Sequence, residues 1–165
     1  MHIRLAATGD AEAIRAIYNA EVIGSTATFD LVPRTAAEQL AWMAEHSGPY
    51  PAIVAVGDGG AVVGFGSLSA YRERPSYVTT VENSVYVDAA RRGSGVGSSL
   101  LRALIALAEQ HGFHSMIARI GGDNQASIHL HLACGFEMVG VEREIGRKFS
   151  RWLDVSVLQL LLPAG

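Results

Sequence analysis

Val85-Tyr86-Val87-Asp88-Ala89-Ala90-Arg91-Arg92-Gly93-Ser94-Gly95-Val96-Gly97-Ser98 decides how this chain is read. An apolar, β-branched run stops at Asp88, two arginines follow, three glycines alternate, and an apolar helical stripe begins. Such a stretch can hold an anion. The first amides of a helix lack internal partners and carry the positive end of its dipole. Glycines let a diphosphate approach the main chain, and Arg91 or Arg92 can add charge-assisted hydrogen bonds. A P-loop would need Gly-Lys-Ser/Thr, and no lysine stands here. A Rossmann fingerprint places its glycines as G-x-G-x-x-G early in a βαβ unit, whereas these read G-x-G-x-G and fall mid-chain. A glycine-rich turn with no ligand is the plain alternative.

Downstream, the spacing of Val96, Leu100, Leu101, Leu104, Ile105 and Ala108 predicts a long helix over about 95–111, with Gly112 just past its end. A strand at 115–120, a short helix at 124–133 closed by Gly135, and strands at 136–141 and 152–162 follow. Upstream lie three strand candidates, 77–87, 61–71 and 52–56, the last two joined by the turn Gly57-Asp58-Gly59-Gly60. Thr35 and Glu38 form a capping box that opens a helix over about 36–46, with Leu40 and Met43 expected inward. Ile14, Ile17, Tyr18 and Val22 predict an earlier helix to about 23, and residues 2–6 a first strand. The order β α α β β β α β α β β describes an α/β layer in a single domain over 1–165.

The bulk properties exclude several functions. The 165 residues carry a net charge of -3, so no global basic field exists to hold nucleic acid or an anionic membrane. No apolar run is long enough to span a membrane, and the first residues show no secretory h-region. A single cysteine, Cys134, rules out an intrachain disulfide and a multi-cysteine zinc site. A cytoplasmic location is the expectation.

A second motif stands at Asn124-Gln125-Ala126-Ser127-Ile128-His129-Leu130-His131-Leu132-Ala133-Cys134-Gly135-Phe136. With Arg92-Gly93-Ser94-Gly95-Val96-Gly97, it resembles the paired motifs of the GNAT acetyltransferase superfamily, with His131 where many members have tyrosine. Thr26–Phe29, Tyr71–Arg74, Thr80–Val87 and Gly146–Asp154 are similar to the branch that acetylates phosphinothricin and methionine sulfoximine or sulfone. That branch has Leu-His-Glu where Leu130-His131-Leu132 stands, and commonly leucine at Cys134.

The resemblance implies a GNAT fold: a central, mixed but mostly antiparallel twisted sheet of about six to seven strands, flanked by about four helices. It implies acetyl-CoA as co-substrate, a small amino-acid-like acceptor and a homodimer. It places the coenzyme on Val85, Tyr86, Val87, Arg92, Gly93, Ser94, Gly95, Val96, Gly97, Ser98, Asn124 and Ser127. It puts the acceptor near Phe29, Arg72, Arg74, Glu82 and Lys148.

The residues themselves suggest the chemistry. An ammonium must lose a proton before it can attack a thioester, and Glu82, mid-strand among apolar and hydroxyl residues, is the candidate base. A salt-bridged strand carboxylate is its structural alternative. Strand parity puts Glu82, Ser84 and Tyr86 on one face and Val81, Asn83, Val85 and Val87 on the other. The resemblance, not the residues, implies that this strand splays from its neighbour and frees a backbone amide of Val85, Tyr86 or Val87 to hold developing negative charge. His131 is the candidate to protonate the departing thiolate or polarise the site; a satisfied helix histidine is the alternative. His129 and His131 lie two apart on a helix and cannot chelate together, so no metal is expected.

Arg72 and Arg74 share a face if their strand continues, and would suit an anionic acceptor. Cys134, Trp42, Trp152 and the methionines are read as core. Two alternatives stay open: another acceptor amine (polyamine, aminoglycoside or peptide N-terminus), and a non-catalytic acyl-CoA sensor.

Overall fold

Among the described residues, 1–163, the computed structural model contains four helices and seven strands in the expected order. They are β1 (His2–Leu5), α1 (Ala11–Gly24), α2 (Ala36–Glu45), β2 (Ala52–Val56), β3 (Val62–Ala70) and β4 (Thr80–Val87). Then come α3 (Val96–Gln110), β5 (Ser115–Gly121), α4 (Gln125–Ala133), β6 (Glu137–Lys148) and β7 (Arg151–Leu161). Residues 164 and 165 of the expected domain lie outside the described range. One sheet runs β1-β2-β3-β4-β5-β7-β6, and within it only β4 and β5 are parallel.

Helices cover both faces of this sheet. β2 reads Ala-Ile-Val-Ala-Val and is buried throughout, as a strand sandwiched between helices must be. Ile53 and Ala55 pack with Leu100, Leu101 and Leu104 of α3, while Val54 and Val56 pack with Ile14, Ile17 and Val22 of α1. The three α3 leucines are fully buried, and each burial contributes about 1.5–3 kcal/mol. α3 lies close on β3 because glycines face it. A Cβ at Gly66 would come within 2.9 Å of Leu104 Cδ1, and one at Gly64 within 3.0 Å of Val96 Cγ1. This tight seat holds the N-terminus of α3 beside the end of β4.

The capping box of α2 forms as read: Glu38 N–H donates to Thr35 Oγ1 (3.1 Å), and Thr35 N–H to Glu38 Oε2 (2.8 Å). Its inward stripe, however, is Gln39, Trp42 and Met43, and Leu40 is 49% exposed. Gln39 is fully buried: Arg34 Nη1 donates to its Oε1 (3.1 Å), while its Nε2 has no protein partner among the described residues. Arg34 in turn lies over the rings of Tyr18 and Trp42.

Other expectations shift too. Trp152 lies on the open face of the β6–β7 hairpin, 60% exposed, with the Arg147 guanidinium over its ring. Met116 is core, but Met138 is exposed. Cys134 packs against the larger core cluster, half-buried. β6 runs to Lys148, far past the expected end at 141, because register breaks at Met138/Gly140 and Glu142/Gly146 interrupt its alternation.

Candidate active site

β4 and β5 pair only from Thr80–Ser115 to Glu82–Ile117. Beyond that point β4 continues to Val87 and β5 to Gly121 without facing partners, so a gap opens between them. β3 stays paired to the other edge of β4 as far as Val87. Asp88 N–H donates to Val63 C=O on β3 (2.9 Å). Amides alternate in direction along an antiparallel strand, so those of Val85 and Val87 point into the gap and that of Tyr86 points to β3.

The glycine loop closes the wide end of the gap. Asp88 caps a 3-10 turn, Ala89–Arg91, by accepting from Ala90 N–H (2.9 Å). Gly93 (φ 76°) and Gly95 (φ 86°) then turn the chain into α3 through left-handed conformations that suit glycine. The first turn of α3 opens on a cleft of about 780 Å³. Val85–Val87, Arg92, Gly93, Gly95, Gly97 and Ser98 line one side, and Asn124 and Ser127 line the other. Asn124 also caps α4, its Oδ1 accepting from Ser127 N–H (3.2 Å). Ser94 Oγ donates to Arg91 C=O (2.5 Å), and the Val96 side chain is buried in the core, so neither presents its side chain to the cleft. Free helix-start amides, two left-handed glycines and a flanking arginine make a cradle that fits a diphosphate.

Sequence reasoning missed the far wall, Ser25–Ala27 at the end of α1, together with Glu21. The Glu21 carboxylate is buried, accepts from Ser25 Oγ and forms an ion pair with Arg92. Arg92 is therefore held by a carboxylate from a helix distant in sequence, for which the local pattern carries no signal.

The two candidate catalytic side chains lie on opposite faces of β4. Tyr86 stacks on Phe65 and meets Tyr18 edge-on, which marks the α1 face and, by alternation, that of Glu82. Val85 and Val87 pack with the α3 cluster, which marks the face of Asn83. Glu82 is half-buried, and burial raises its carboxyl pKa above the ordinary value, partly offset by the Arg119 guanidinium.

His131 is buried against α4 and β4. Its Nδ1 donates to Ser127 C=O (2.7 Å), and its Nε2 lies 3.0 Å from Asn83 Oδ1. Burial lowers the His131 pKa and so favours the neutral ring. The Asn83 Nδ2 amide donates to Ile117 C=O of β5 (3.4 Å), which leaves its Oδ1 facing the ring. Both ring nitrogens are thus engaged by the protein.

The remaining acceptor candidates separate. Phe29 sits on the Glu82 side, its ring wedged between Gly121 of β5 and Gly146 of β6. A Cβ on either glycine would come within 2.4 and 2.3 Å of the ring. Lys148 is 4% exposed and donates to Thr28 C=O (2.8 Å), so its ammonium tethers the 25–28 segment to β6. β3 ends at Ala70, so the condition for Arg72 and Arg74 to share a strand face is not met. Both are exposed; Arg72 stacks on Tyr71, and Arg74 precedes a 3-10 turn at Pro75–Tyr77. Among the described residues no cluster of His, Cys, Asp and Glu could hold a metal ion.

Comparison with known proteins agrees with this geometry. The chain is 42% identical to an L-methionine sulfoximine/L-methionine sulfone acetyltransferase of Pseudomonas paraeruginosa, over 97% of this chain and 94% of that protein. An N-acetyltransferase from Staphylococcus aureus Mu50 superposes with a TM-score of 0.95 at 38% identity, covering 98% of each chain. A GNAT superfamily phosphinothricin acetyltransferase from Sinorhizobium meliloti, solved with AcCoA, superposes at 0.94 and 38% identity, over 98% of this chain and 88% of that one. The model of the acetyltransferase (GNAT) family matches residues 12–136, and with its splayed β4–β5 pair and glycine cradle the chain belongs to that family.

Proposed function

We propose that the protein transfers the acetyl group of acetyl-CoA to the α-amino group of a small amino acid of the methionine sulfoximine, methionine sulfone or phosphinothricin kind. The observation that carries this reading is the β4–β5 gap. It joins a diphosphate cradle at one end to a half-buried carboxylate, Glu82, at the other. Relatives of 36–42% identity that bear those substrates in their names support the choice of acceptor.

Each residue has a physical task. The amides at the start of α3, with Arg92, Gly93, Gly95 and Gly97, hold the coenzyme diphosphate, and Asn124 and Ser127 flank it. The coenzyme supplies an acetyl thioester, and the Val85 and Val87 amides are free to donate toward its carbonyl oxygen. Glu82 takes the proton from the acceptor ammonium, and its raised pKa brings it closer to neutral pH. His131 holds α4 against β4 through Ser127 and Asn83 and so keeps the gap in shape.

A homodimer is part of this reading. Apolar side chains lie exposed along β6 and β7, among them Val139, Val141, Ile145 and Trp152. A cytoplasmic setting, where acetyl-CoA is supplied, goes with it.

Release of free CoA thiol from acetyl-CoA tests the proposal. The acceptors are methionine sulfoximine, methionine sulfone, phosphinothricin, ordinary amino acids, spermidine and a peptide. Turnover confined to the first three is the expected result. Turnover with spermidine or peptide alone would overturn the acceptor class, and coenzyme binding with no turnover would favour a sensor.

A further inference from the structure

The Glu82 carboxyl receives no hydrogen bond from the protein among the described residues. Yet a donor stands directly across the sheet. β3 pairs Ser69 with Glu82, Ser67 with Ser84 and Phe65 with Tyr86. Phe65 and Tyr86 stack on each other in the α1 cluster, so alternation carries Ser67, Ser69, Ser84 and Glu82 onto that same face. Opposed Cβ atoms lie about 4.5–5.5 Å apart, within reach of a hydroxyl and a carboxylate. A hydroxyl so placed can donate to the acid and lower its pKa.

The end of α2 explains why it does not. Trp42 meets Phe65 edge-on, which brings the last turn of α2 over β3. His46 follows that turn, half-buried, its ring stacked on Trp42 with 4.1 Å between centroids. His46 Nδ1 lies 2.8 Å from Trp42 C=O, and Nε2 lies 3.1 Å from Ser69 Oγ. A carbonyl oxygen only accepts, so Nδ1 carries the ring proton. Burial lowers the His46 pKa and favours the neutral ring. Nε2 of the neutral ring is an acceptor, and Ser69 O–H donates to it. The Ser69 oxygen keeps its lone pairs and has no proton left for Glu82.

Resting on the proposed function above, we infer that His46 is a positioning residue: by holding the Ser69 hydroxyl proton, it keeps the Glu82 carboxylate clear of a donor and turns the Ser69 oxygen toward the acceptor amine. An ammonium brings three N–H donors. Glu82 takes the proton of one, and the nitrogen lone pair so freed attacks the thioester carbonyl. Ser69 Oγ receives a second N–H and holds the amine beside the base. Once Glu82 is protonated, its own O–H can donate to the same oxygen. The charged groups around this pair are Glu45 on α2 and Arg34 before it, near His46, and Arg119 on β5, near Glu82. His46 itself is neutral, so its replacement alters hydrogen bonding and leaves the charge of the site unchanged.

The test follows kcat/KM for methionine sulfone against pH, by CoA thiol release, in wild type, H46F, H46Q, S69A and the double variant H46F/S69A. His46→Phe keeps an aromatic ring on Trp42 but accepts no hydrogen bond. Ser69 O–H is then free to donate to the Glu82 carboxylate and lowers its pKa. The acid limb moves to lower pH by about one unit, and the plateau rate drops severalfold because the base is weaker. H46Q, whose Oε1 can accept from Ser69, keeps the limb near its wild-type position. S69A raises the acceptor KM about 10-fold, through loss of a hydrogen bond from a charged donor. In the S69A background His46→Phe moves the limb no further, since no hydroxyl remains. The acetyl-CoA KM, set at the distant cradle, holds throughout and reports that each variant is folded. An H46F limb at the wild-type position overturns the inference, and so does an equal H46F shift with and without the Ser69 hydroxyl. Should H46F not fold, a wild-type acceptor KM in S69A overturns it alone. A wild type that turns over only another amine removes the acceptor reading, and the same limbs measured with that amine still decide the role of His46.

Discussion

The coenzyme half and the acceptor half of the site meet at the β4–β5 gap but are built differently. The coenzyme half draws mostly on two short stretches, 85–98 and 124–127, and much of what it offers is main chain: free amides, left-handed glycines and a helix start. The proposed acceptor half draws single residues from many places: Phe29 before α2, Glu82 on β4, Gly121 on β5 and Gly146 on β6. A diphosphate is common to every acetyl-CoA, so a backbone cradle suffices for it. An acceptor must be told from other amines, and that requires side chains placed by tertiary structure.

The contrast can be broken by substitution, and the largest effect is expected at Glu82. Glu82→Gln removes the base and should lower kcat by about 100-fold or more at neutral pH. Acetyl-CoA affinity, measured by calorimetric titration, should stay near wild type, because Glu82 lies outside the cradle. Because burial raises the Glu82 pKa, wild-type kcat/KM should fall as pH drops through a value above the ordinary glutamate range, where the carboxylate takes up its proton. Equal rates for the two enzymes would show that the halves are not divided in this way.

Next in size is the cradle. Gly95→Val asks a β-branched residue to adopt φ near 86° at the start of α3 and narrows the approach to its amides. Acetyl-CoA affinity should fall by about 10-fold or more. Unchanged affinity in a folded variant would mean that the diphosphate does not use this helix start.

The smallest effect sharpens the acceptor side. Gly146→Ala puts a Cβ about 2.3 Å from the Phe29 ring, so the ring must leave its slot. The acceptor KM should change by a few fold while the acetyl-CoA KM holds. Parallel changes in both would join Phe29 to the coenzyme half.

Legibility follows the same division. The element order was readable because amphipathic periods, the Thr35–Glu38 capping box and the glycine turns act within a few residues. The long reach of β6 was not, since its register breaks hide the alternation that marks a strand. Leu40 looked inward by period, yet Gln39 took the buried place once Arg34 supplied a partner from another segment. Lys148 could be named a site residue from resemblance alone, but only folding shows its ammonium spent on the Thr28 carbonyl.

The amino-acid sequence by itself determined the strand–glycine loop–helix unit, the order of elements and the anion cradle. Each depends on backbone dihedrals and on contacts between near neighbours in the chain. Tertiary structure decided which face of β4 each group occupies, that Glu82 and His131 lie on opposite sides, and that Glu21 holds Arg92. It also decided that Arg119 stands beside Glu82 between two carboxylates from different strands. These are matters of strand register and of the point where two parallel strands part. Register is set by the packing of both sheet faces against helices far apart in sequence, so no local pattern can announce it.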